Sequence, residues 1–495
     1  MRNWTRRAAL LGSGAALGAW AGRGLVARNP SMIGTRSLAV AETGGVMNDA
    51  SLLSPTPIYK HILLKDDPGD TMIAALRAEI RQARAQGRPV NVGAARHSMG
   101  GQAIPRDGHA ITFDNALVEP DSTAGLYRTH AGARWSQVIA ALDPIGFSPK
   151  VMQSNNDFGV AATFCVNAHG WPAPFGPMGS TVRGFDMVLA DGELVRCSRD
   201  ENTELFSQTM GGYGLTGIII TLDVEMEKNT RLKPTFTEMP AKDFGNAFVD
   251  ALADPTVSMA YGRLNVARAD FFTQALMITY RATDDQSDLP AAAGSGMMSK
   301  LARHIYRAQL GNEPIKRLRW WTETDLGPAV GGGATTRNSL INEPVITLDD
   351  RDDTRTDILH EYFVTPERFP EFLALCRAVI PASYQEFLNV TLRFVNTDPE
   401  SWLNYAPVPR IAAVMSFSQE MTARAEVDMA RMTRALVDGI VGIGGAYYLP
   451  YRPHPTPAQL LRAYPRAAEF AAAKRAMDPD MIFRNNLWDS YLEYL

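Results

Sequence analysis

A turn of small and polar residues follows a short apolar segment, and its composition is typical of an anion-binding site. Residues 90–92 are typical of a buried strand, and residues 93–103 then read Gly-Ala-Ala-Arg-His-Ser-Met-Gly-Gly-Gln-Ala. A strand that runs into a Gly/Ser turn exposes consecutive backbone N–H groups, and these can hold a diphosphate. The spacing matches neither the P-loop nor the Rossmann fingerprint. The loop therefore predicts a phosphate-binding turn of another kind.

Two later segments share this enrichment in small residues. Residues 155–170 combine asparagine, glycine and alanine and end in Asn-Ala-His-Gly, and residues 211–217 carry four glycines. Small side chains over such lengths allow backbone to lie against a flat ligand. Three glycine-rich turns joined by short strands predict a nucleotide cradle built from loops.

The elements that must position these turns alternate between helix and strand. Apolar residues recur at helical spacing from about residue 70 to 86, where Ile73, Leu76, Ile80 and Ala83 share one face. Residues 185–189 and 193–197 alternate as strands around the turn Ala-Asp-Gly, and residues 218–224 form an apolar run. The pattern predicts strands and helices in one α+β domain.

The composition limits the class of protein. The chain has 495 residues, 45% of them hydrophobic and 21% charged, and its mean hydropathy of −0.14 is ordinary for a soluble enzyme of two or three domains. Three cysteines without zinc-ligand spacing predict neither a disulfide framework nor a metal site. The net charge is −4, so we expect no nucleic-acid partner.

The amino terminus predicts export. Thr-Arg-Arg at residues 5–7 precedes a weakly apolar run, and residues 1–41 contain six arginines and no acidic residue. This segment resembles a twin-arginine signal, which implies a periplasmic or secreted protein that folds before export. A short membrane anchor is the alternative, but the run is rich in glycine and short for a span. Folding before export suits a protein with a tightly held cofactor.

The motifs, taken in order, resemble a known family. They are H-S-x-x-G-Q-A from residue 97, N-A-H-G from 167, G-S-x-V-R-G from 179, A-D-G-E from 190, and G-G-x-G-x-x-G-I-I from 211. This order is similar to the FAD-linked oxidases typified by vanillyl-alcohol oxidase, with an FAD-binding domain of the PCMH type. The resemblance covers residues 55–228 and reappears near 361–364 and at D-P-x-x-x-F-x-N from 478, and it is nearest to aldonolactone and alditol oxidases.

The resemblance implies FAD as the cofactor. In members with covalent flavin, a histidine of the first loop bonds to the flavin, and His97 matches that position; the alternative is a histidine that only hydrogen-bonds the loop or the diphosphate. Cys165 matches a second attachment point less well, because it follows the glycine pair, and we expect a small buried side chain there. The residues expected to contact FAD are Gly93, Arg96, His97, Ser98, Met99, Gly100, Gly101, Gln102, Asp157, Ala161, Thr163, Asn167, His169, Ser180, Val182, Gly214, Gly217, Ile218 and Asn485.

The resemblance also implies the catalytic groups. Residues 389–394 are similar to the strand on which alditol and aldonolactone oxidases carry Glu-x-Arg; Arg393 fits the arginine, and Thr391 stands where the glutamate is expected. His454 matches a histidine of those enzymes, but their lysine is replaced by Pro457. We expect His454 as base and Arg393 as cationic stabiliser, with Tyr362 as a further candidate for accepting a proton.

The expected reaction is hydride transfer to FAD from the CH–OH group of a small hydroxylated substrate, with reoxidation by oxygen or another acceptor. Two alternatives stay open. The first motif is also close to that of cytokinin dehydrogenases, which oxidise an amine. The missing Glu and Lys would also suit a flavin-bound binding or assembly protein with a decayed catalytic set.

The expected architecture is α+β, with a two-subdomain FAD-binding domain over residues 50–230. A substrate domain over 231–455 would contain an antiparallel sheet covered by helices, and residues 456–495 would return to the FAD domain, with a helix over 456–477. Residues 300–321 are basic and end in two tryptophans. We expect a solvated helix and loop there, with weak contact to a membrane surface or an electron acceptor as the alternative.

Overall fold

The structure is a computed structural model that describes residues 36–39, 44–294, 304–345 and 353–495. The predicted export signal at 1–41 lies outside the described residues except for 36–39, and so does part of the basic segment at 300–321. Within the described ranges, no helix is long and apolar enough to cross a membrane.

Nineteen strands and a set of mostly short helices make up the described ranges. The strands are β1 (Val46–Met47), β2 (Thr56–Pro57), β3 (Lys60–Leu64), β4 (Val90–Val92), β5 (His109–Phe113), β6 (Val118–Asp121), β7 (Leu126–His130), β8 (Phe147–Pro149), β9 (Val182–Val188), β10 (Leu194–Ser198), β11 (Ile218–Lys228), β12 (Arg231–Pro240), β13 (Val257–Leu264), β14 (Gln274–Ala282), β15 (Thr335–Thr336), β16 (Arg355–Val364), β17 (Glu386–Val395), β18 (Arg410–Glu420) and β19 (Ala446–Tyr447). The α-helices are Asp70–Ala85, Trp135–Leu142, Val160–Cys165, Thr203–Thr209, Phe244–Leu252, Glu313–Trp321, Gly327–Gly331, Arg337–Ile341, Phe369–Val379, Ala423–Gly442, Pro457–Ala463, Ala467–Met477 and Asn486–Ser490.

The first half of the chain forms two small sheets around one hydrophobic core. β3, β5 and β4 form a parallel sheet in that order, and the helix Asp70–Ala85 buries Leu76, Ile80 and Ala83 in the core beside it. The helix predicted over 70–86 is thus present.

The second sheet of this half is antiparallel, with strand order β10-β9-β11-β7-β6 and β8 paired to β11. The predicted hairpin around Ala-Asp-Gly is the β9–β10 pair, and the predicted apolar strand at 218–224 is the start of β11. Small residues at the turns allow the backbone of the loops between these strands to approach a ligand closely.

The second half is built on one antiparallel sheet of eight strands, in the order β15-β12-β14-β13-β17-β18-β16-β19. The helices Phe244–Leu252, Phe369–Val379 and Ala423–Gly442 pack on one face and complete a second hydrophobic core. Side chains alternate between the two faces of a strand, so the opposite face is left to the first half of the chain. The expected α+β class, with antiparallel sheets and helices, is confirmed.

The carboxyl-terminal segment contacts both halves. The helix predicted over 456–477 is two helices, Pro457–Ala463 and Ala467–Met477, because Pro465 disfavours helical geometry at Tyr464. Further on, Val90 N donates to Ile482 O at 2.6 Å, and Asn485 Nδ2 donates to Tyr213 O at 2.9 Å. These bonds join the end of the chain to the first half.

Candidate active site

A cavity of about 370 Å³ lies between the loops of the first half and the open face of the eight-stranded sheet. Its loop side is formed by residues 92–103, 153–169 and 213–219, which are the three small-residue segments that the sequence singles out. Its sheet side is formed by alternate residues of β16, β17 and β18. The cavity therefore joins a loop cradle to a polar sheet surface.

The first loop has a defined shape that depends on its glycines. Gly101 has φ +71°, and a Cβ there would lie 2.0 Å from Asn486 Nδ2. The loop is tied to the second half because Met99 N donates to Pro450 O at 2.7 Å and Gln102 Nε2 donates to Leu449 O at 2.7 Å. Packing thus fixes the loop against residues 449–451, which follow the last strand of the sheet.

His97 lies on the cavity wall. Its ring centroid is 4.2 Å from that of Phe158, and its Nε2 is 3.6 Å from Asp157 Oδ2. Asp157 does not line the cavity itself, but its carboxylate lies beside His97 and accepts from Val345 N at 3.2 Å, and both of these residues line the cavity. The side chain of His97 is thus held at the cavity wall by Phe158 and Asp157.

Arg96, the residue before His97, carries a positive charge into the same wall. Its backbone is left-handed, with φ +52°, and its Nη2 donates to Thr112 Oγ1 at 3.0 Å. Burial, and then the positive charge of Arg134, lower its pKa to about 10. The guanidinium remains protonated at neutral pH and favours an anionic ligand beside it.

One row of residues across the sheet faces the loops. Glu361 of β16 pairs with Val414 of β18, and Val414 pairs on its other side with Thr391 of β17. Two residues further along β17, Arg393 faces the same way. β17 has Thr391 rather than an acidic residue in this row. The carboxylate of the row belongs to Glu361 of β16, two strands away.

Glu361 stands at the centre of a buried polar group. One carboxylate oxygen is bonded to His169 Nε2, and both residues are 3% exposed. The other accepts from Tyr451 Oη at 3.2 Å, and because burial raises the pKa of Tyr451, this phenol keeps its proton. A carboxylate, an imidazole and a phenol thus meet at the end of the cavity where the loops approach the sheet.

Arg393 adds a cation to this group. Its Nη1 donates to His169 O at 3.4 Å, and Glu361 is the carboxylate that acts on it. Burial lowers the pKa of Arg393, and Glu361 partly offsets this effect. Since arginine stays charged in proteins, Arg393 supplies a fixed positive charge at the cavity wall.

Most residues predicted to contact FAD line the cavity. They are Gly93, Arg96, His97, Ser98, Met99, Gln102, Ala161, Thr163, His169, Gly214, Gly217 and Ile218. Cys165 also lines it, and burial raises the pKa of its thiol to about 12, so the thiol is protonated. The loops thus form one continuous surface around the cavity.

Besides Asp157, six predicted cofactor contacts lie elsewhere, because packing uses their polar atoms or buries their side chains. Gly100 N donates to Gln102, Gly101 N to Asp49, and Asn167 bonds Asp398 and Gly179. Ser180 donates to Pro177 O, Val182 lies in the core, and Asn485 begins the helix Asn486–Ser490. They support the cradle from behind.

Two of the three predicted catalytic residues are also placed away from the cavity. Tyr362 follows Glu361 on β16 and points to the opposite face, where its hydroxyl meets His360 Nδ1 at 3.0 Å. His454 is buried on that face too, with Nε2 2.9 Å from Glu426 Oε1 and Nδ1 3.2 Å from Thr433 Oγ1. Of the three, only Arg393 lines the cavity, and the side chains of Tyr362 and His454 lie on the other side of the sheet.

The residues that sequence reasoning missed at this site are Glu361 and Tyr451. Glu361 lies within the family-like stretch at 361–364, and Tyr451 lies three residues before His454. The alternation of β16 carries the one signal that could have found Glu361, because residues 357, 359 and 361 face the cavity together.

The expectation of a solvated basic helix at 300–321 is wrong for three of its cations. Arg307 is 2% exposed and pairs with Asp357, and Lys316 is 5% exposed and lies near Glu313 and Glu386. Arg319 donates to Leu388 O at 2.6 Å. These cations face the sheet and hold the helix Glu313–Trp321 on the edge of the cavity.

The cavity fits a flavin nucleotide. In the described residues, buried polar atoms on its wall that have no protein partner include Arg96 Nε, Ser154 Oγ, His169 Nδ1 and Arg393 Nε. Buried polar atoms are normally satisfied, so these indicate a polar ligand. Small side chains at Gly93, Ala161 and Gly214 leave room for a flat ring, and Arg96 suits an anionic group.

Comparison with known proteins agrees with this geometry. Residues 71–198 match the FAD binding domain family. An alditol oxidase from Streptomyces sp. is 29% identical over 30% of this chain and 37% of its own length. Cytokinin dehydrogenase 8 from Oryza sativa subsp. indica is 27% identical over 37% of this chain and 39% of its own. A D-arabinono-1,4-lactone oxidase from Yarrowia lipolytica is 29% identical over 30% and 29%.

The first half of the chain is thus an FAD-binding domain, and FAD is the cofactor. Residues 71–198 match this domain, and over part of its length the chain is similar to alditol oxidase, cytokinin dehydrogenase and arabinonolactone oxidase. The matched segment spans less than two fifths of the length of each of these relatives.

Proposed function

We propose that the protein is an FAD-dependent oxidoreductase that removes hydride from the CH–OH group of a small hydroxylated substrate. The observation that carries the proposal is the row across β16, β18 and β17, which places Glu361 and Arg393 on the sheet face opposite the FAD loops. The relatives include an alditol oxidase and an arabinonolactone oxidase, which supports a substrate of this kind.

The residues of the chain have separate roles in this reaction. FAD, when bound, supplies the two-electron acceptor for the hydride. Glu361, bonded to His169, accepts the hydroxyl proton, and Tyr451 fixes the second carboxylate oxygen. Arg393 stabilises negative charge that develops beside it in the low-dielectric cavity.

The carboxylate at Glu361 also bears on the alternative of a decayed catalytic set. Thr391 lacks an acidic group, but Glu361 lies in the same row and faces the same cavity. The acid is therefore relocated to another strand, which favours an active enzyme over a flavin-bound binding protein.

Oxidation of an amine is the second candidate. It is supported by the similarity to cytokinin dehydrogenase 8, which is 27% identical over 210 residues. A carboxylate such as Glu361 could accept a proton from an amine as well as from a hydroxyl. The two candidates differ in which class of compound reduces the flavin.

We further propose that the flavin is bonded covalently to His97, which stands at the cavity edge. We also propose export through the twin-arginine route and reoxidation of the flavin by oxygen or another electron acceptor. The proposed covalent bond rests on the motif at residue 97, and the proposed export rests on residues 5–7.

The test is anaerobic reduction of the flavin, followed by absorbance, with polyols, sugar lactones, aryl alcohols and secondary amines. Glu361→Gln should keep FAD and slow flavin reduction about 10²–10⁴-fold, because the proton acceptor is lost. Glu238→Gln, an exposed change on β12, is the matched control. Reduction of Glu361→Gln at the unaltered rate would remove the carboxylate from the mechanism, and reduction by amines alone would favour the second candidate.

A further inference from the structure

Three polar side chains form a cluster on the sheet wall beside the proposed catalytic group. Asn389 of β17 pairs across the sheet with Ser416 of β18, and Thr391 follows Asn389 by two residues on the same face. All three line the cavity. We refer to Asn389, Thr391 and Ser416 as the donor cluster, for the following reason.

The side-chain oxygen of each member already accepts a hydrogen bond from another residue. Arg263 Nη1 donates to Thr391 Oγ1. Arg319 Nη2 donates to Asn389 Oδ1 at 2.7 Å, and neither arginine lines the cavity. Tyr306, which does line the cavity, donates its Oη proton to Ser416 Oγ at 2.9 Å. All three oxygens thus already accept a hydrogen bond from the protein.

The protons of the cluster have fewer protein partners than its oxygens. A hydroxyl or amide whose oxygen accepts a bond still has its own protons to donate. Asn389 Nδ2 lies 3.5 Å from Thr391 Oγ1, which leaves a second amide proton. Across the described ranges, the hydroxyls of Thr391 and Ser416 donate to no protein acceptor. The wall therefore presents hydrogen-bond donors to the cavity.

The charges around the cluster also favour a negatively charged ligand. Arg263 contacts Thr391 and the ring of Tyr261, and among the described residues it forms no ion pair with a carboxylate. Arg263 does not line the cavity, so its positive charge lies behind Thr391. This charge favours a negative group in front of Thr391.

We infer that the donor cluster binds a carboxylate of the substrate, which makes the substrate class a hydroxy acid. Thr391 and Glu361 lie in one row, separated by two strand spacings or about 10 Å at the backbone. Two side chains and a short carbon chain span this distance. The alcohol carbon loses a hydride to FAD and its hydroxyl loses a proton to the Glu361–His169 pair, so the product is the corresponding oxo acid.

This inference rests on the proposed function for the reacting hydroxyl, but the binding of a carboxylate can be measured without turnover. Butyrate and butyramide have the same shape, carry no hydroxyl and differ in charge. Each is titrated into the oxidised holoenzyme while the flavin absorbance band is followed. Butyrate should bind at least about tenfold more tightly, because charge-assisted hydrogen bonds are the stronger ones.

Variants assign this preference to the cluster. Thr391→Val removes the hydroxyl at nearly constant volume and should weaken butyrate binding about tenfold or more, with little change for butyramide. Thr391→Ser keeps the hydroxyl and should bind butyrate as the unaltered protein does. Thr237→Val, an exposed change on β12, is the matched control, and FAD content reports whether each variant is folded.

Turnover separates the two proposals. Glycerate is compared with glycerol, and gluconate with glucitol, as reductants of the flavin under anaerobic conditions. Preference for the acids supports the inference. Equal binding of butyrate and butyramide, or an unchanged affinity in Thr391→Val, overturns it even if polyols reduce the flavin. Tight binding of butyrate without reduction by any hydroxylated compound leaves the cluster in place and contradicts the proposed function instead.

Discussion

At the scale of single residues, position on a strand decides chemistry more sharply than residue type. Glu361 and Tyr362 are neighbours, and both can exchange a proton, yet only Glu361 faces the FAD loops. His454 has the residue type of a general base, but its two ring nitrogens are engaged by Glu426 and Thr433. A titratable side chain behind the sheet cannot reach a substrate in front of it.

His97 carries the first residue-scale prediction. If the flavin is bonded to this side chain, His97→Ala should leave FAD bound by the loop but release it on acid precipitation, because the remaining contacts are noncovalent. The measurement is absorbance of pellet and supernatant for the two proteins. Release of yellow colour from the unaltered protein would contradict the covalent bond.

His360 carries the second residue-scale prediction, which concerns how the stability of the fold depends on pH. It is buried against Tyr362 and Thr433, and burial lowers its pKa from 6.5 to about 3. Between these values the unfolded chain binds a proton that the folded chain does not, so stability should fall as the pH falls from 6.5, by up to about 1.4 kcal/mol per pH unit. His360→Gln should flatten this dependence.

The measurement is the urea midpoint of the holoenzyme at pH 7 and pH 5. An equal loss of stability in His360→Gln and in the unaltered protein would contradict the assignment. Activity is not required for this comparison, so it stands apart from the proposals on function.

At the scale of elements, the first loop is shaped by contacts with distant segments as well as by its own residues. Gln102 bonds the carbonyls of Leu449 and Tyr451, and Gly101 packs against Asn486. The loop therefore has its binding conformation only when the carboxyl-terminal segments are in place.

Gly101→Ala tests this arrangement. The residue combines φ +71° with a Cβ position 2.0 Å from Asn486 Nδ2, so the change should cost about 1–3 kcal/mol from overpacking in addition to backbone strain. Gly125→Ala has a similar φ of +68° with nothing within 4 Å, and it should show only the strain. Thermal midpoint and FAD content are measured for both. Equal effects of the two changes would show that contact with Asn486 is unimportant.

At the scale of the whole molecule, the cavity lies where the two halves of the chain meet, and the end of the chain helps to join them. Both hydrophobic cores cross this boundary, since one combines the first-half sheets with Met259 and Ile278 and the other includes Tyr213. Asn485 links the two halves, since Nδ2 donates to Tyr213 O while Oδ1 accepts from Leu487 N and Trp488 N.

Replacement of Asn485 tests the connection. Asn485→Ala should lower stability by about 2–4 kcal/mol, because it removes a helix cap and leaves buried groups unpaired. Asn485→Asp keeps the cap acceptor and loses the donor to Tyr213, so it should be intermediate. Calorimetric unfolding of the holoenzyme measures both, and an unchanged midpoint in Asn485→Ala would contradict the role of this residue.

The loops that line the cavity could be predicted from the sequence, and the cofactor from their resemblance to a known family. Glycine-rich turns need particular residue types at local positions, and local spacing is visible in a chain read from end to end. The helix at 70–85 and the β9–β10 hairpin follow from such local patterns, and twelve of the residues expected to contact FAD line the cavity.

The sheet wall of the cavity could not be predicted in this way. Glu361 lies in the same row as Thr391 because β16 and β17 are aligned through β18, and strand order and register depend on packing between segments distant in sequence. The same holds for the inward cations Arg307 and Arg319, whose burial depends on partners on β16 and β17. Local patterns carry no information on which distant strand supplies a charge, so the position of these groups emerged only from the folded chain.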